Sequence, residues 1–168
     1  MWALEKNFII GISCFYHDSA AVLICEDEIV TAVQEERFSR KKHDSRFPEN
    51  AVKYCLKSNN LNLRDIKNIV YYEKPLLTFE RLLETYLAVA PRGGRSFIAA
   101  MQVWLKEKLF LKSELKNRLK IIQKEITNSK EPYVPEILFA EHHQSHAAAA
   151  FYPSPFEKAV ILCMDGVG

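Results

Sequence analysis

The fold is set by residues 8–34, which read FIIGISCFYHDSAAVLICEDEIVTAVQ. Three apolar runs, at residues 8–15, 20–25 and 29–34, are rich in the residues that favour β-strands. The connections at residues 16–19 and 26–28 are too short for a parallel crossover, which needs about a dozen residues or more. The sequence therefore predicts three antiparallel strands arranged as a meander.

Helices and strands follow the meander in alternation. Residues 35–47 are too charged for the core and predict a loop, after which Pro48 begins a helix whose apolar face includes Val52, Cys55 and Leu56. The later elements are predicted in the order strand 66–72, helix 76–90, a break at 91–94, helix from about 96 to 127, strand 136–140, helix 141–151 and strand 158–164.

The predicted helix before residue 127 has two contrasting faces. An apolar stripe predicts that one face is buried; its members are Leu115, Leu119, Ile122 and Ile126. The other face is lysine-rich, which is typical of a solvated surface or of a phosphate-binding or interaction surface. These lysines are Lys106, Lys108, Lys112, Lys116, Lys120 and Lys124.

Composition limits the classes of protein to consider. The chain has 168 residues, 48% of them apolar and 26% charged, which is typical of one globular domain. A net charge of +2 argues against a nucleic-acid partner, and no apolar run reaches the roughly 20 residues that span a membrane. The four cysteines are scattered, and no export signal is visible, so we expect a cytoplasmic protein with reduced thiols.

Three of the five histidines lie in one short segment, HHQSH at residues 142–146. The alanines at 147–150 favour a helix, which would place His142 and His146 one turn apart on the same face. Two imidazoles at that spacing can bind one divalent metal ion. A pair of ordinary surface histidines is the alternative interpretation. The other two histidines, His17 and His43, are each followed by Asp-Ser.

The order of the predicted elements indicates an α/β fold with a mixed sheet and flanking helices. Three antiparallel strands followed by helix, strand, helix, strand and helix is the order of a ribonuclease-H-like lobe. In the actin, Hsp70 and sugar-kinase superfamily, two such lobes enclose ATP. Residues 159–168 echo the opening strand and turn at 8–19. We therefore expect residues 1–157 to form a first lobe and residues 158–168 the first strand of a truncated second lobe.

The sequence resembles the amino-terminal part of the O-carbamoyltransferases of nodulation-factor and antibiotic biosynthesis, which are related to the tRNA threonylcarbamoyl-transferring protein. Four segments carry the resemblance: HDSAA at 17–21, EERFSRKKHD at 35–44 closing on Phe47-Pro48, residues 141–156, and MDGVG at 164–168. The third segment is highly specific.

The resemblance implies an enzyme of two domains. The carboxy-terminal domain makes carbamoyl-adenylate from carbamoyl phosphate and ATP. The amino-terminal domain passes the carbamoyl group to a substrate hydroxyl with the help of a metal of the iron type. The 168-residue chain would then lack the second lobe and the adenylate-forming domain. We expect the fragment to be inactive alone, to bind metal weakly, and to self-associate through its open apolar face.

By resemblance, His142 and His146 match two metal ligands and Asp165 matches a third. His143 could replace either histidine, since it is three residues from His146. Neutral imidazoles with one or two carboxylates suit iron, zinc or manganese. A plain turn at the end of a strand is the alternative for residues 165–168.

The resemblance also places phosphate contacts at the first turn, where His17 would orient an oxygen or carry a proton beside Asp18. Gly166 and Gly168 would let phosphate oxygens approach backbone N–H groups. A cluster at residues 37–43 would clamp adenylate or carbamoyl phosphate; its members are Arg37, Arg40, Lys41, Lys42 and His43. The alternatives are that Asp18 and Ser19 only close the turn and that the cluster is an exposed loop.

Two other functions stay open at this point. The same fold would suit a metal-binding nucleotide phosphohydrolase or kinase relative. The lobe could also be a non-catalytic interaction module that uses its lysine-rich helix. The sequence does not identify the hydroxyl acceptor, whether a sugar, an oligosaccharide or another alcohol.

Overall fold

A computed structural model describes residues 7–164 except 17, 91, 95, 96, 100 and 102–109. Its strands and helices are β1 (Phe8–Ser13), β2 (Ala20–Cys25), β3 (Glu28–Gln34), α1 (Glu36–Ser39), α2 (Glu49–Lys57), β4 (Ile66–Tyr71), α3 (Pro75–Val89), α4 (Leu111–Thr127), β5 (Glu136–Phe139) and α5 (His142–Phe151).

The five strands form one mixed sheet in the order β3-β2-β1-β4-β5. The β1–β2 and β2–β3 pairs are antiparallel, which confirms the predicted meander. The β1–β4 and β4–β5 pairs are parallel. Parallel neighbours need long crossovers, and the helices between these strands supply them. The α/β class with a mixed sheet is thus confirmed.

Helices α2 and α4 cover one face of the sheet and build the core with it. Both helices bury the apolar residues that the sequence predicted, including Val52 and Leu56 on α2 and Leu119 on α4, together with Ile10 and Leu23 of the sheet. Burial also raises the pKa of the Cys55 thiol to about 11, so this cysteine stays protonated inside the core. No helix in the described part of the chain combines the length and the apolar character needed to cross a lipid bilayer.

Two sequence predictions differ from the structure toward the carboxyl end. The strand predicted at 158–164 is wrong, because residues 159–164 adopt no regular secondary structure, and Val160, Leu162 and Met164 are exposed. An apolar run becomes a strand only where a neighbouring strand satisfies its backbone groups. Of the long helix predicted from about residue 96 to 127, the second part is confirmed as α4, which begins at Leu111 after the non-helical Phe110; residues 102–109 lie outside the described residues.

The charged segment at residues 35–47 is only partly the loop that the sequence predicted. It contains the short helix α1, and two of its carboxylates, Glu35 and Asp44, are buried together with Phe47. The prediction that this segment stays out of the core was wrong, because both carboxylates find hydrogen-bond donors that offset the cost of leaving water.

Glu35 accepts hydrogen bonds at the start of α2. Its carboxylate receives the Asn50 N–H at 3.3 Å, the Asn50 side-chain amide at 2.6 Å and the Ala51 N–H at 2.8 Å. A negative charge at a helix amino terminus is also favoured by the helix dipole. The Glu35 N–H donates to the Ser19 carbonyl at 2.9 Å. Glu35 therefore fixes α2 to the first turn of the sheet.

Asp44 anchors the loop on its other side. Arg46 donates from Nε to Oδ1 at 2.9 Å and from Nη2 to Oδ2 at 2.6 Å. These hydrogen bonds hold the pKa of the Asp44 carboxyl well below its usual range, although burial opposes the shift. The Asp44 carbonyl accepts both the Ser19 N–H at 2.8 Å and the Ser19 hydroxyl at 2.9 Å. The loop is therefore tied directly to the β1–β2 turn.

We expect Glu35→Ala to destabilise the fold by roughly 2 to 4 kcal/mol, because it leaves three donors at the start of α2 without their acceptor. Urea unfolding followed by circular dichroism measures the change. Glu84→Ala is the control, since Glu84 is an exposed helical residue whose loss should change stability by less than about 0.5 kcal/mol. Equal stability of the two variants would show that the Glu35 contacts contribute nothing.

Asp44→Asn should weaken the fold in a pH-dependent way, by roughly 2 to 3 kcal/mol near neutrality. Because the pKa of the folded Asp44 is lowered, its contribution is present above the unfolded value of about 3.9 and is lost as the pH falls below it. The difference in urea midpoint between wild type and variant should stay constant from about pH 7 to pH 5 and should narrow as the pH falls from about 4 to 3. Asp27→Asn, in the exposed β2–β3 turn, is the control and should change stability by less than about 0.5 kcal/mol.

Candidate functional site

Three parallel strands end at the same edge of the sheet. Strands β1, β4 and β5 run in one direction, so the residues that follow Ser13, Tyr71 and Phe139 gather along one side. The chain leaves β1 toward β2 on one flank, whereas β4 lies on the other flank. Such a change of direction at the carboxyl ends of strands is where open α/β sheets bind ligands. We call this side the carboxyl edge.

Backbone and side-chain hydrogen bonds fix the carboxyl edge. The Tyr71 hydroxyl donates to the Cys14 carbonyl at 2.8 Å, which joins the ends of β4 and β1. Burial raises the pKa of Tyr71, so its hydroxyl keeps the donated proton. The Ala140 N–H donates to the Tyr71 carbonyl at 2.9 Å, and the Ser145 hydroxyl donates to the Tyr72 carbonyl at 2.9 Å. Helix α5 is therefore held against the end of β4.

His142 and His146 lie together at this edge. Their Nε2 atoms are 3.2 Å apart, and their rings are nearly perpendicular, with centroids 4.6 Å apart. Two nitrogen ligands at about 2.1 Å from one metal ion lie about 3.0 Å apart at a right angle and about 3.4 Å apart at the tetrahedral angle. The observed separation falls between these limits, so the pair fits one shared metal ion. A hydrogen bond between two neutral imidazoles fits the same distance.

The structure describes only some of the other predicted site residues. Asp165 lies outside the described residues, as do His17, Gly166 and Gly168. Within residues 7–164, apart from those gaps, no group of three potential metal ligands comes together. The Cys163 thiol contacts the His143 carbonyl at 3.6 Å, which places the segment that leads to Asp165 beside α5. The sequence predicted Cys163 to be a reduced core residue, and in the structure its free thiol is only partly buried.

The structure brings Asp18 and His43 together, which the sequence analysis had assigned to separate roles. Oδ1 of Asp18 lies 2.9 Å from Nδ1 of His43. The pairing arises because Asp18 and Ser19 pack against the segment at 43–45. Besides the Ser19–Asp44 bonds, the Phe15 N–H donates to the Ser45 carbonyl at 2.6 Å. The repeated triplet was the sequence signal for this contact.

The basic residues of the loop point in different directions. Arg37 lines a groove of about 850 Å³ on the sheet face opposite the core, together with Gln34, Tyr72 and the α5 residues Gln144 and Ser145. Like Arg37, the other arginine and lysine residues of the predicted cluster at 37–43 are exposed; they are Arg40, Lys41 and Lys42. Arg37 is therefore the loop cation that shares a cavity with α5.

Comparison with known proteins gives relatives of greater length. An uncharacterized protein of Synechocystis is 61% identical over 95% of this chain and 25% of its own length. The nodulation protein NolNO of Sinorhizobium fredii is 34% identical over 98% of this chain and 22% of its own length. An uncharacterized protein of Methanocaldococcus jannaschii is 30% identical over 95% of this chain and 22% of its own.

The chain thus spans a quarter or less of the length of these three relatives. The family described as carbamoyltransferase N-terminus matches residues 8–168, which include all four segments on which the resemblance was based. Because the match covers nearly the whole chain, this protein belongs to the carbamoyltransferase N-terminus family.

Proposed function

We propose that this chain is the acceptor-side, amino-terminal part of a metal- and ATP-dependent O-carbamoyltransferase. The enzyme would move a carbamoyl group from carbamoyl phosphate, through carbamoyl-adenylate, to a substrate hydroxyl. The observation that carries the proposal is the pair of imidazoles at the carboxyl edge, with Nε2 atoms 3.2 Å apart, in a chain of the carbamoyltransferase N-terminus family. The remaining parts of the enzyme would come from chain that these 168 residues do not include.

The sheet supports assignment to a ribonuclease-H-like lobe. Its order, β3-β2-β1-β4-β5, joins an antiparallel meander to two parallel strands, with helices in the crossovers. In the actin, Hsp70 and sugar-kinase superfamily, nucleotide lies between two such lobes. The carboxyl edge of β1 and β4 would face the nucleotide, which is consistent with the positions of Asp18, of the segment at 43–45 and of α5.

His142 and His146 would hold the metal, and Asp165 would complete the set from the protein segment that follows Cys163. Imidazole and carboxylate donors favour iron, with zinc and manganese as alternatives of the same ligand chemistry. A bound divalent cation would supply Lewis-acid polarisation of a phosphate or carbamoyl oxygen. The Tyr72 ring, 5.7 Å from the His142 ring, would keep that imidazole oriented toward His146.

Positive charge near the site would come from the loop at 35–47. Arg37 reaches the groove beside α5, and a guanidinium binds phosphate oxygens with two parallel hydrogen bonds. Arg40, Lys41 and Lys42 would add longer-range attraction for ATP or carbamoyl phosphate. His17, Gly166 and Gly168 keep the phosphate-contacting roles that the resemblance implies.

Incubating the full-length gene product with ATP, Fe²⁺, [¹⁴C]carbamoyl phosphate and a panel of sugars and oligosaccharides tests the function. We expect label in an acceptor, with pyrophosphate release that depends on carbamoyl phosphate. ATP hydrolysis that ignores carbamoyl phosphate would instead indicate a phosphohydrolase. Binding of a macromolecular partner without any turnover, lost when Lys112, Lys116 and Lys120 are reversed in charge, would indicate an interaction lobe.

Substituting the metal-binding histidines should remove metal from the full-length gene product. His142→Ala and His146→Ala should each weaken Fe²⁺ binding by at least about tenfold, because even outer contacts to a metal site typically contribute that much. Anaerobic titration and metal analysis of the purified protein measure the loss. His143→Ala should keep its iron, and equal iron in all three variants would contradict the assignment.

A further inference from the structure

The contact between Asp18 and His43 has the geometry of a proton-transfer pair. A carboxylate only accepts hydrogen bonds, so a neutral His43 must carry its proton on Nδ1, 2.9 Å from Asp18 Oδ1. Its Nε2 then keeps a free lone pair and can accept a proton. A carboxylate that fixes the tautomer of an imidazole is the arrangement by which histidine serves as a general base.

The protein holds His43 in a defined position although its side chain is 70% exposed. The backbone adopts φ +54°, a left-handed conformation that is uncommon for residues other than glycine. The His43 N–H donates to Glu36 Oε2 at 3.3 Å, and the next residue is the buried Asp44. The ring is therefore presented to solvent from an anchored backbone, which is expected of a group that must meet a ligand.

The charges around His43 argue against its predicted role in an anion clamp. Asp18 contacts its ring and Glu36 contacts its backbone, so two carboxylates face this residue. A phosphate bound there would be repelled by both. Arg37, which lines the groove beside α5, is better placed for an anion than His43. His43 is therefore better suited to a neutral hydroxyl than to a phosphate.

The position of the pair is appropriate for catalysis at the carboxyl edge. Asp18 lies in the turn that leaves β1, and the loop with His43 is tied to that turn through Ser19 and Phe15. Helix α5 and its two histidines follow β5 at the same edge, two strands away in the sheet. Adjacent strands are about 4.8 Å apart, so the ends of β1 and β5 are about 10 Å apart, and Asp18 and α5 follow these two ends along the same edge.

We propose that His43 is the general base for carbamoyl transfer and that Asp18 is its positioning residue; this inference rests on the proposed function. As the acceptor oxygen bonds to the carbamoyl carbon, its proton passes to Nε2 of His43. The bond between that carbon and the phosphate oxygen breaks, and AMP leaves with the electron pair. The products are the O-carbamoyl ester and AMP, and His43 then returns its proton to solvent.

His43→Gly tests the base with little disturbance of the loop, because glycine adopts a positive φ freely. In the full-length gene product we expect kcat for transfer to fall about 10²- to 10⁴-fold, the usual contribution of a general base. The acceptor KM and the carbamoyl-phosphate-dependent release of pyrophosphate in the first turnover should stay unchanged. Added imidazole should restore part of the rate by occupying the vacated space. Asn60→Gly, at φ +56° on the far side of α2, is the matched control and should keep full activity.

Negative results in these experiments would contradict either the role of His43 or the proposed function as a whole. Wild-type transfer rates in His43→Gly would overturn the role of the base, as would a loss confined to the donor KM that imidazole does not rescue. A wild-type enzyme that carbamoylates no acceptor would overturn the proposed function, and this inference with it. Nitrogen NMR of ¹⁵N-histidine-labelled protein tests the pair without turnover: His43 should carry its proton on Nδ1, and Asp18→Asn should shift it toward Nε2. A wild-type proton on Nε2 would refute the pairing.

Discussion

Two buried carboxylates, Glu35 and Asp44, hold the site together. Removing a carboxylate from water costs several kcal/mol unless donors replace the lost hydration. Hydrogen bonds from the start of α2, including the Ala51 N–H, offset this cost for Glu35. Hydrogen bonds from Arg46 offset it for Asp44. Because each residue also contacts Ser19 through its backbone, the loop, the helix and the first turn are joined at one point. Burial of the two charges is what gives the exposed residues between them fixed positions.

Local patterns predicted most of the fold because local physics determines those parts. Short connections left only an antiparallel meander for β1–β3, and helical spacing identified the buried faces of α2 and α4. The failures have a common cause. Whether residues 159–164 form a strand depends on a neighbour, and whether a carboxylate is buried depends on donors elsewhere in the chain. Neither depends on the residues of the segment itself.

The two side-chain pairs of the site also differ in whether local sequence determines them. His142 and His146 could be paired from sequence because one helical turn brings them together. Asp18 and His43 are 25 positions apart, and only the docking of one loop on another joins them. The sequence showed only that His17 and His43 are each followed by Asp-Ser; in the structure the Ser19 hydroxyl donates to the Asp44 backbone carbonyl.

The contact between Asp18 and His43 places a carboxylate beside a loop, at residues 35–47, that otherwise exposes basic side chains. Arg37, within α1, reaches toward the groove, whereas the chain adopts left-handed conformations at both Arg40 and His43 before it turns inward at Asp44. These two positions set the course of the exposed residues between them, Lys41 and Lys42, and set the direction of the His43 ring. In the mechanism proposed above, Arg37 would bind the phosphate-bearing donor and His43 the neutral acceptor, so that a single anchored segment would hold both. The positions of the two would then depend on the same anchor, so loosening Asp44 would disturb donor and acceptor together.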